Sequence, residues 1–262
     1  MGEIQTHDLV MQLNRLLRPD LFKDYAPNGL QVEGRSSIRK LITGVTASAS
    51  LIDAAIERQA DAILVHHGYF WKGENPCLLG YKAKRLKKLF DHNINLIAYH
   101  LPLDAHASLG NNWQLGLQLG IKSLGVIKSG VIQKLEPSLN TQLLFVGELP
   151  SLGLGEIQAL ITSRLGRPPL VIEGTPGRLV QRVAWCTGAA QASFLEAVDA
   201  GVDLFITGEV SERTYYEAKE TGVHFIAAGH NATERFGVQA VGIWLTRNLE
   251  LETMYIDIEN PV

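Results

Sequence analysis

The sequence predicts an α/β fold made of two duplicated units with mainly parallel sheets and a metal site in the cleft between them. Three observations predict it. Apolar runs of strand length alternate with stretches of helical periodicity, the series occurs twice, and its strands end in histidines and carboxylates. At 262 residues the chain could be one large domain or two modest ones, and 46% hydrophobic with 19% charged residues describes an ordinary globular protein.

The elements follow in order. Leu9, Val10, Leu13, Leu16 and Leu17 recur at helical spacing behind Thr6, a suitable N-cap, so the chain opens with an amphipathic helix. Asp24 to Gly34 carries Pro27, Asn28-Gly29 and Gly34, which read as turns around a short extended piece, Leu30 to Val32. Then come a strand at Leu41 to Val45, a helix at Leu51 to Glu57, a buried strand at Ala62 to Val65, a basic helix at Lys82 to Asp91 and a strand at Leu96 to Tyr99.

The same events recur downstream. Leu41-Ile42-Thr43-Gly44-Val45 parallels Val183-Ala184-Trp185-Cys186-Thr187, an offset of 142 residues, and Ala60 to Val65 parallels Val202 to Thr207 at that offset. Leu96-Ile97-Ala98-Tyr99-His100 parallels Ile226-Ala227-Ala228-Gly229-His230 at an offset of 130. The intervening stretch, Ile121 to Gln181, is expected to supply strands and a helix around Ile157 to Leu165 to the second unit, with Gly147-Glu148-Leu149-Pro150 as a turn. This places the units at 1–127 and 128–262, with the C-terminal segment free to pack on the first.

Composition narrows the function. Lys and Arg total 24 against 27 Asp and Glu, a net charge of -3, which supplies no global field for nucleic-acid phosphates. Met1 to Arg15 lacks the basic start and apolar stretch of a signal peptide, and no apolar run is long enough to cross a bilayer. Cys77 and Cys186 form neither a disulfide framework nor a zinc-finger spacing, so the reducing cytoplasm is expected. The phosphate-cradling G-x-x-x-x-G-K pattern and the G-x-S-x-G nucleophile elbow are both missing.

The residues that carry chemistry stand at strand ends, where open α/β sheets form ligand sites. Val65-His66-His67-Gly68 puts two imidazoles at one such end. Taken by itself the pair reads equally as hydrogen-bonded core or loop histidines. His100-Leu101-Pro102-Leu103-Asp104 and His230-Asn231-Ala232-Thr233-Glu234 then repeat His-x-x-x-carboxylate at equivalent places in both copies. Neutral imidazole and carboxylate oxygen suit zinc, manganese, iron or nickel. His66, His67, His100, Asp104, His230 and Glu234 are too many for one tetrahedral ion and suit two divalent ions, four ligands coming from the first half and two from the second. Glu209 occupies the repeat position of His67 and reads either as a carboxylate that orients a ligand or acts as base, or as a structural carboxylate in a turn. His106, His7, His92 and His224 are assigned to loop, surface or strand positions. Tyr69, Phe70, Trp71 and Lys72 could wall a pocket and meet an anionic substrate, or simply pack.

Asp24-Tyr25-Ala26-Pro27-Asn28-Gly29-Leu30-Gln31-Val32-Glu33-Gly34, Val65 to Gly68, His100 to Asp104 and Gly229 to Glu234 together resemble the Nif-three-like family, the GTP cyclohydrolase I type 2 homologues, in its short bacterial form. The resemblance runs essentially end to end. It implies two interlinked α/β domains, a dinuclear metal centre on the six residues named above, and a homohexameric ring with its sites facing an internal cavity. It also implies a metal-dependent hydrolase acting on a nucleotide-like substrate, by hydrolytic opening of the GTP imidazole ring. The alternative is a non-catalytic metal-binding scaffold or a regulatory, stress-related protein.

Overall fold

The protein is seen in a computed structural model that describes residues 2–136 and 140–262. In chain order its elements are β1 (Ile4–Gln5), α1 (Thr6–Leu17), β2 (Gly29–Val32), β3 (Ser37–Ile38), β4 (Lys40–Thr46), α2 (Ala49–Glu57), β5 (Ala62–His67), α3 (Gly80–Asp91) and β6 (Asn95–Ala98). There follow α4 (Leu101–Ala105), α5 (Asn111–Gln118), β7 (Lys122–Lys128), β8 (Val131–Gln133), β9 (Phe145–Leu152), α6 (Leu154–Leu165), β10 (Leu170–Ile172) and β11 (Val180–Trp185). The chain ends with α7 (Phe194–Asp199), β12 (Leu204–Thr207), α8 (Glu212–Thr221), β13 (His224–Ala227), α9 (His230–Thr233), α10 (Arg235–Leu249) and β14 (Glu252–Tyr255). The mixed α/β class is as the sequence predicts. Among the described residues no helix is long and apolar enough to cross a membrane.

The chain forms two compact units, Met1–Leu103 with Gly237–Glu259, and Asp104–Phe236 with Asn260–Val262. In the first, the strand order is β14-β4-β5-β6-β2, parallel except for β2 against β6. One face of its central strands is covered by α2 and α3: Ile42, Ile63, Val65 and Leu96 pack with Leu51, Ile52 and Ala55 of α2 and with Leu86 and Leu89 of α3. Ser48 caps α2, its hydroxyl accepting from Leu51 N at 3.2 Å. Thr6 does not cap α1 as the sequence suggests. It is the first helical residue, and its hydroxyl donates to the Arg35 carbonyl at 2.6 Å.

In the second unit the order is β10-β13-β12-β11-β9-β7-β8, and only the β11–β12 and β12–β13 pairings are parallel. The sheet is mixed rather than mainly parallel, because the stretch between the repeats adds β7, β8, β9 and β10 in antiparallel fashion. Gly147 to Pro150, expected as a turn, lies inside β9. Pro150, with no N–H to give, falls where the β9–β11 register shifts between Val180 and Arg182. The division after Leu103 also precedes the boundary expected near 128. The reason is α5, whose Leu115 shares a core with Phe145 and Trp185 and whose Asn112 carbonyl accepts from Trp185 Nε1 at 2.7 Å.

The repeat is visible in the hydrogen bonds. Asp61 accepts from the backbone N–H of Arg39 and Lys40 and from Arg35 Nη1; Asp203 accepts from the N–H of Gln181 and Arg182 and from Arg178 Nη2. Gly34 N donates to Asn95 Oδ1 at 2.8 Å, and Gly174 N to His224 Nδ1 at 3.1 Å. The two ladders place Ala62 opposite Asn95 and Leu204 opposite His224. By ladder the last strands correspond at 129 residues, not 130. The second copy holds one extra residue before its histidine, and Gly229, at φ 103°, accommodates it there.

Candidate metal centre

The first unit holds a cluster of imidazoles that could ligate a metal ion. There β5 ends at His67 and the segment after β6 delivers His100, so the parallel β5–β6 pairing brings three imidazoles together. His66, His67 and His100 each offer a ring nitrogen within 4.8 Å of the others, and ring centroids lie 4.5 Å (His66–His67), 5.0 Å (His66–His100) and 5.8 Å (His67–His100) apart. His66 and His100 are buried. Gly68 follows because a Cβ there would stand 2.2 Å from Gln31 Oε1 and 2.7 Å from Ala98 Cβ.

The tautomers suit ligation. His66 Nδ1 faces the Tyr99 carbonyl at 3.0 Å, which can only accept, so this nitrogen carries the proton and Nε2 keeps its lone pair. His100 Nδ1 lies 2.8 Å from Asp24 Oδ1. Burial would push the Asp24 carboxyl upward, but hydrogen bonds from His100 and Asn28 hold it down at about 2, so it is a carboxylate that accepts from the His100 ring. Asn28 closes the arrangement, its amide donating to Asp24 Oδ2 at 3.0 Å and its Oδ1 accepting from His100 N at 2.7 Å. His67 Nδ1 lies 3.1 Å from the Thr46 hydroxyl.

In the second unit Glu234 lies near both Asp104 and His230. Asp104 Oδ1 accepts from Asn111 Nδ2 at 2.9 Å and from the Thr187 hydroxyl at 3.2 Å. Asp104 and Glu234 offer carboxylate oxygens within 4.8 Å of each other, and both are buried. His230 Nε2 is 3.1 Å from Glu234 Oε2, and its Nδ1 is 2.7 Å from Glu209 Oε1. Two glycines make room. A Cβ on Gly188, at φ 72°, would stand 2.2 Å from Glu234 Oε1, and one on Gly208 would stand 2.6 Å from both Gly188 O and His230 Cα. Gly208 occupies the repeat position of His66, so the second copy has a bare backbone where the first has an imidazole.

Burial favours a neutral His230, but the Glu234 and Glu209 carboxylates outweigh it and push the imidazole up to about 9 from its ordinary 6.5. Since the folded value is raised, the stabilisation is complete below about pH 6.5 and disappears as pH climbs through about 9. Chelator-treated protein is expected to show a falling melting temperature across that window, and His230→Asn is expected to flatten it. A wild-type curve that stays level from pH 6 to 10 would contradict the assignment.

Sequence reasoning placed Glu209 near this cluster through the repeat but missed Asp24 and Asn28, whose residue types in a turn-rich stretch signalled only turns. His224 is buried in β13, held by Gly174 N and the Arg178 carbonyl, and His106 Nδ1 accepts from Leu109 N at 3.1 Å in a loop; both are structural.

Comparison with known proteins bears on the whole chain. A family model described as Duf34/NIF3 (NGG1p interacting factor 3) matches residues 4–261. The chain belongs to the Duf34/NIF3 family. Among its relatives, a protein of Escherichia coli K12 named "GTP cyclohydrolase 1 type 2 homolog" is 51% identical over 256 residues, covering 97% of this chain and 98% of that one. A Pseudomonas aeruginosa relative of the same name is 48% identical over 254 residues, covering 97% of each. Of solved Duf34/NIF3-like structures, one titled protein ybgI, of unknown function, superposes with a TM-score of 0.92 at 48% identity over 99% of this chain and 100% of that one. Another, from Thermus thermophilus, gives 0.87 at 32% identity over 99% and 100%.

Proposed function

We propose that this Duf34/NIF3 protein holds two divalent metal ions on His66, His67, His100, Asp104, His230 and Glu234 and hydrolyses a nucleotide-like substrate. The observation that carries the reading is the first cluster, in which His66, His67 and His100 each offer a ring nitrogen within 4.8 Å of the others while Tyr99 O and Asp24 orient the His66 and His100 rings through Nδ1. A merely structural histidine cluster has no need of that. The imidazole and carboxylate donors fit zinc, manganese, iron or nickel, and their number favours two ions over one. Divalent ions in such a centre supply Lewis acidity, which acidifies water and polarises the bond under attack.

The chain's own residues do the orienting. Asp24 and Asn28 fix the His100 ring, Thr187 and Asn111 fix Asp104, and Glu209 holds His230 through Nδ1, which makes it a positioning carboxylate. His230 stands between the Glu209 and Glu234 carboxylates, so it would have to give up its proton to serve as a ligand, and metal affinity at this position is expected to rise with pH. The names of the E. coli and P. aeruginosa relatives support a GTP-like substrate. Family membership also supports a homohexameric ring, and two thiols left unbridged, Cys77 and Cys186, suit a cytoplasmic setting.

Metal-reconstituted protein assayed against GTP and a nucleotide panel tests the reading, with metal-dependent product formation expected. Chelation that lowers the melting temperature while no nucleotide is consumed would replace it with a metal-fastened scaffold.

A further inference from the structure

We propose that Tyr25 and Trp71 form a platform on which the heteroaromatic base of the substrate stacks, so that the protein selects a nucleotide by its base. The inference rests on the reading of His67 and His100 as part of a substrate site and adds how that site recognises its ligand. Trp71 lies edge-on to His100, centroids 5.0 Å apart at 86°, and 5.9 Å from His67. Tyr25 also meets His100 edge-on, at 5.1 Å and 63°, and the Tyr25 and Trp71 rings lie 6.3 Å apart with a tilt of 33°. Tyr25 is 53% exposed and Trp71 is partly exposed. Two large rings are thus held in view of solvent, one ring contact from two imidazoles, instead of being spent on the core.

The platform is braced from behind. Asp24 Oδ1, the acceptor for His100 Nδ1, also accepts from Tyr25 N at 2.7 Å, so one carboxylate sets both the imidazole and the ring beside it. Lys72 N donates to the Tyr25 carbonyl at 2.7 Å, tying the Trp71 loop to the Tyr25 loop. Trp71 N donates to Glu74 Oε2, which also takes the buried Lys82 ammonium at 2.9 Å; that ammonium lies 4.9 Å over the Phe70 ring. Phe70 itself sits at φ 66°, a conformation a bulky side chain keeps only when its surroundings impose it. Aromatic side chains presented in this way bind bases through their π-faces, a contact that a base-free sugar phosphate cannot make.

The test is calorimetric titration of the full-length, metal-loaded protein with guanosine 5′-monophosphate, and with ribose 5-phosphate as the base-free control. Wild type is expected to bind the nucleotide about tenfold or more tighter than the sugar phosphate; Trp71→Ala is expected to lose about tenfold for the nucleotide alone, and Trp71→Phe to keep it within about threefold. Elemental analysis of both variants is expected to return wild-type metal content. Equal affinity for the two probes, no nucleotide binding, unchanged nucleotide affinity in Trp71→Ala, or loss of metal from it would each overturn the platform. Binding is read without turnover, so nucleotide held through Trp71 but never consumed refutes hydrolysis alone, whereas turnover with unchanged affinity in Trp71→Ala refutes the platform alone.

Discussion

The His66→Ala, Glu234→Ala double variant is expected to purify without its metal and to lose nucleotide turnover by at least about a thousandfold. The magnitude follows from scale: removing a group that merely orients a ligand costs about 10- to 100-fold in metal affinity or activity, and this variant removes two ligands outright. His66 is fully buried, with Nδ1 committed to the Tyr99 carbonyl, so no other atom of β5 can present that lone pair. Glu234 is buried against His230, and no second carboxylate of α9 stands in reserve. Alanine at both positions leaves cavities as well as missing donors, so the comparison is with chelated wild type, by circular dichroism and thermal unfolding. A double variant that folds, retains wild-type metal content and turns over nucleotide at the wild-type rate would sink the ligand assignment.

Gly208→Ala is expected to be the most damaging single change near the second cluster, costing about 3 kcal/mol of stability. The added methyl would stand 2.6 Å from the Gly188 carbonyl oxygen and 2.6 Å from His230 Cα. Both are backbone, and both are pinned: Gly188 O accepts from Gly208 N at 2.8 Å and from the Thr207 hydroxyl at 3.0 Å, while Gly229 N donates to Gly208 O at 3.0 Å. Relief requires His230 to shift, which carries it off Glu209 and Glu234. The variant is therefore expected to lose metal affinity along with stability, measured by chemical denaturation and metal titration. Wild-type values for both would show that the close packing of Gly208 is not what holds His230.

The central parallel strands were legible because burial on both faces writes itself as continuous apolar runs, as at Ala62 to Val65 and Leu204 to Thr207. The histidines at their ends were legible because the duplication displayed His-x-x-x-carboxylate twice. The antiparallel order of β7, β8, β9 and β10 was not, since an apolar run announces a strand but not its neighbour. Pro150 misled for the reason that makes proline informative elsewhere: it marks turns and irregular strand register alike. Asp24 and Asn28 escaped because they act on a residue 76 and 72 positions away, and local spacing encodes nothing of so distant a partner. The same holds for Asp104, whose sequence neighbour His100 suggested one half of the protein while its hydrogen bonds to Asn111 and Thr187 place it with the second unit.

The most direct measurement is anomalous diffraction at the absorption edge of the bound metal, on crystals of protein purified without chelator. The account predicts two peaks per chain, ligated by His66, His67, His100, Asp104, His230 and Glu234 and by no other side chain. A single peak, or density bound away from these six residues, would contradict it.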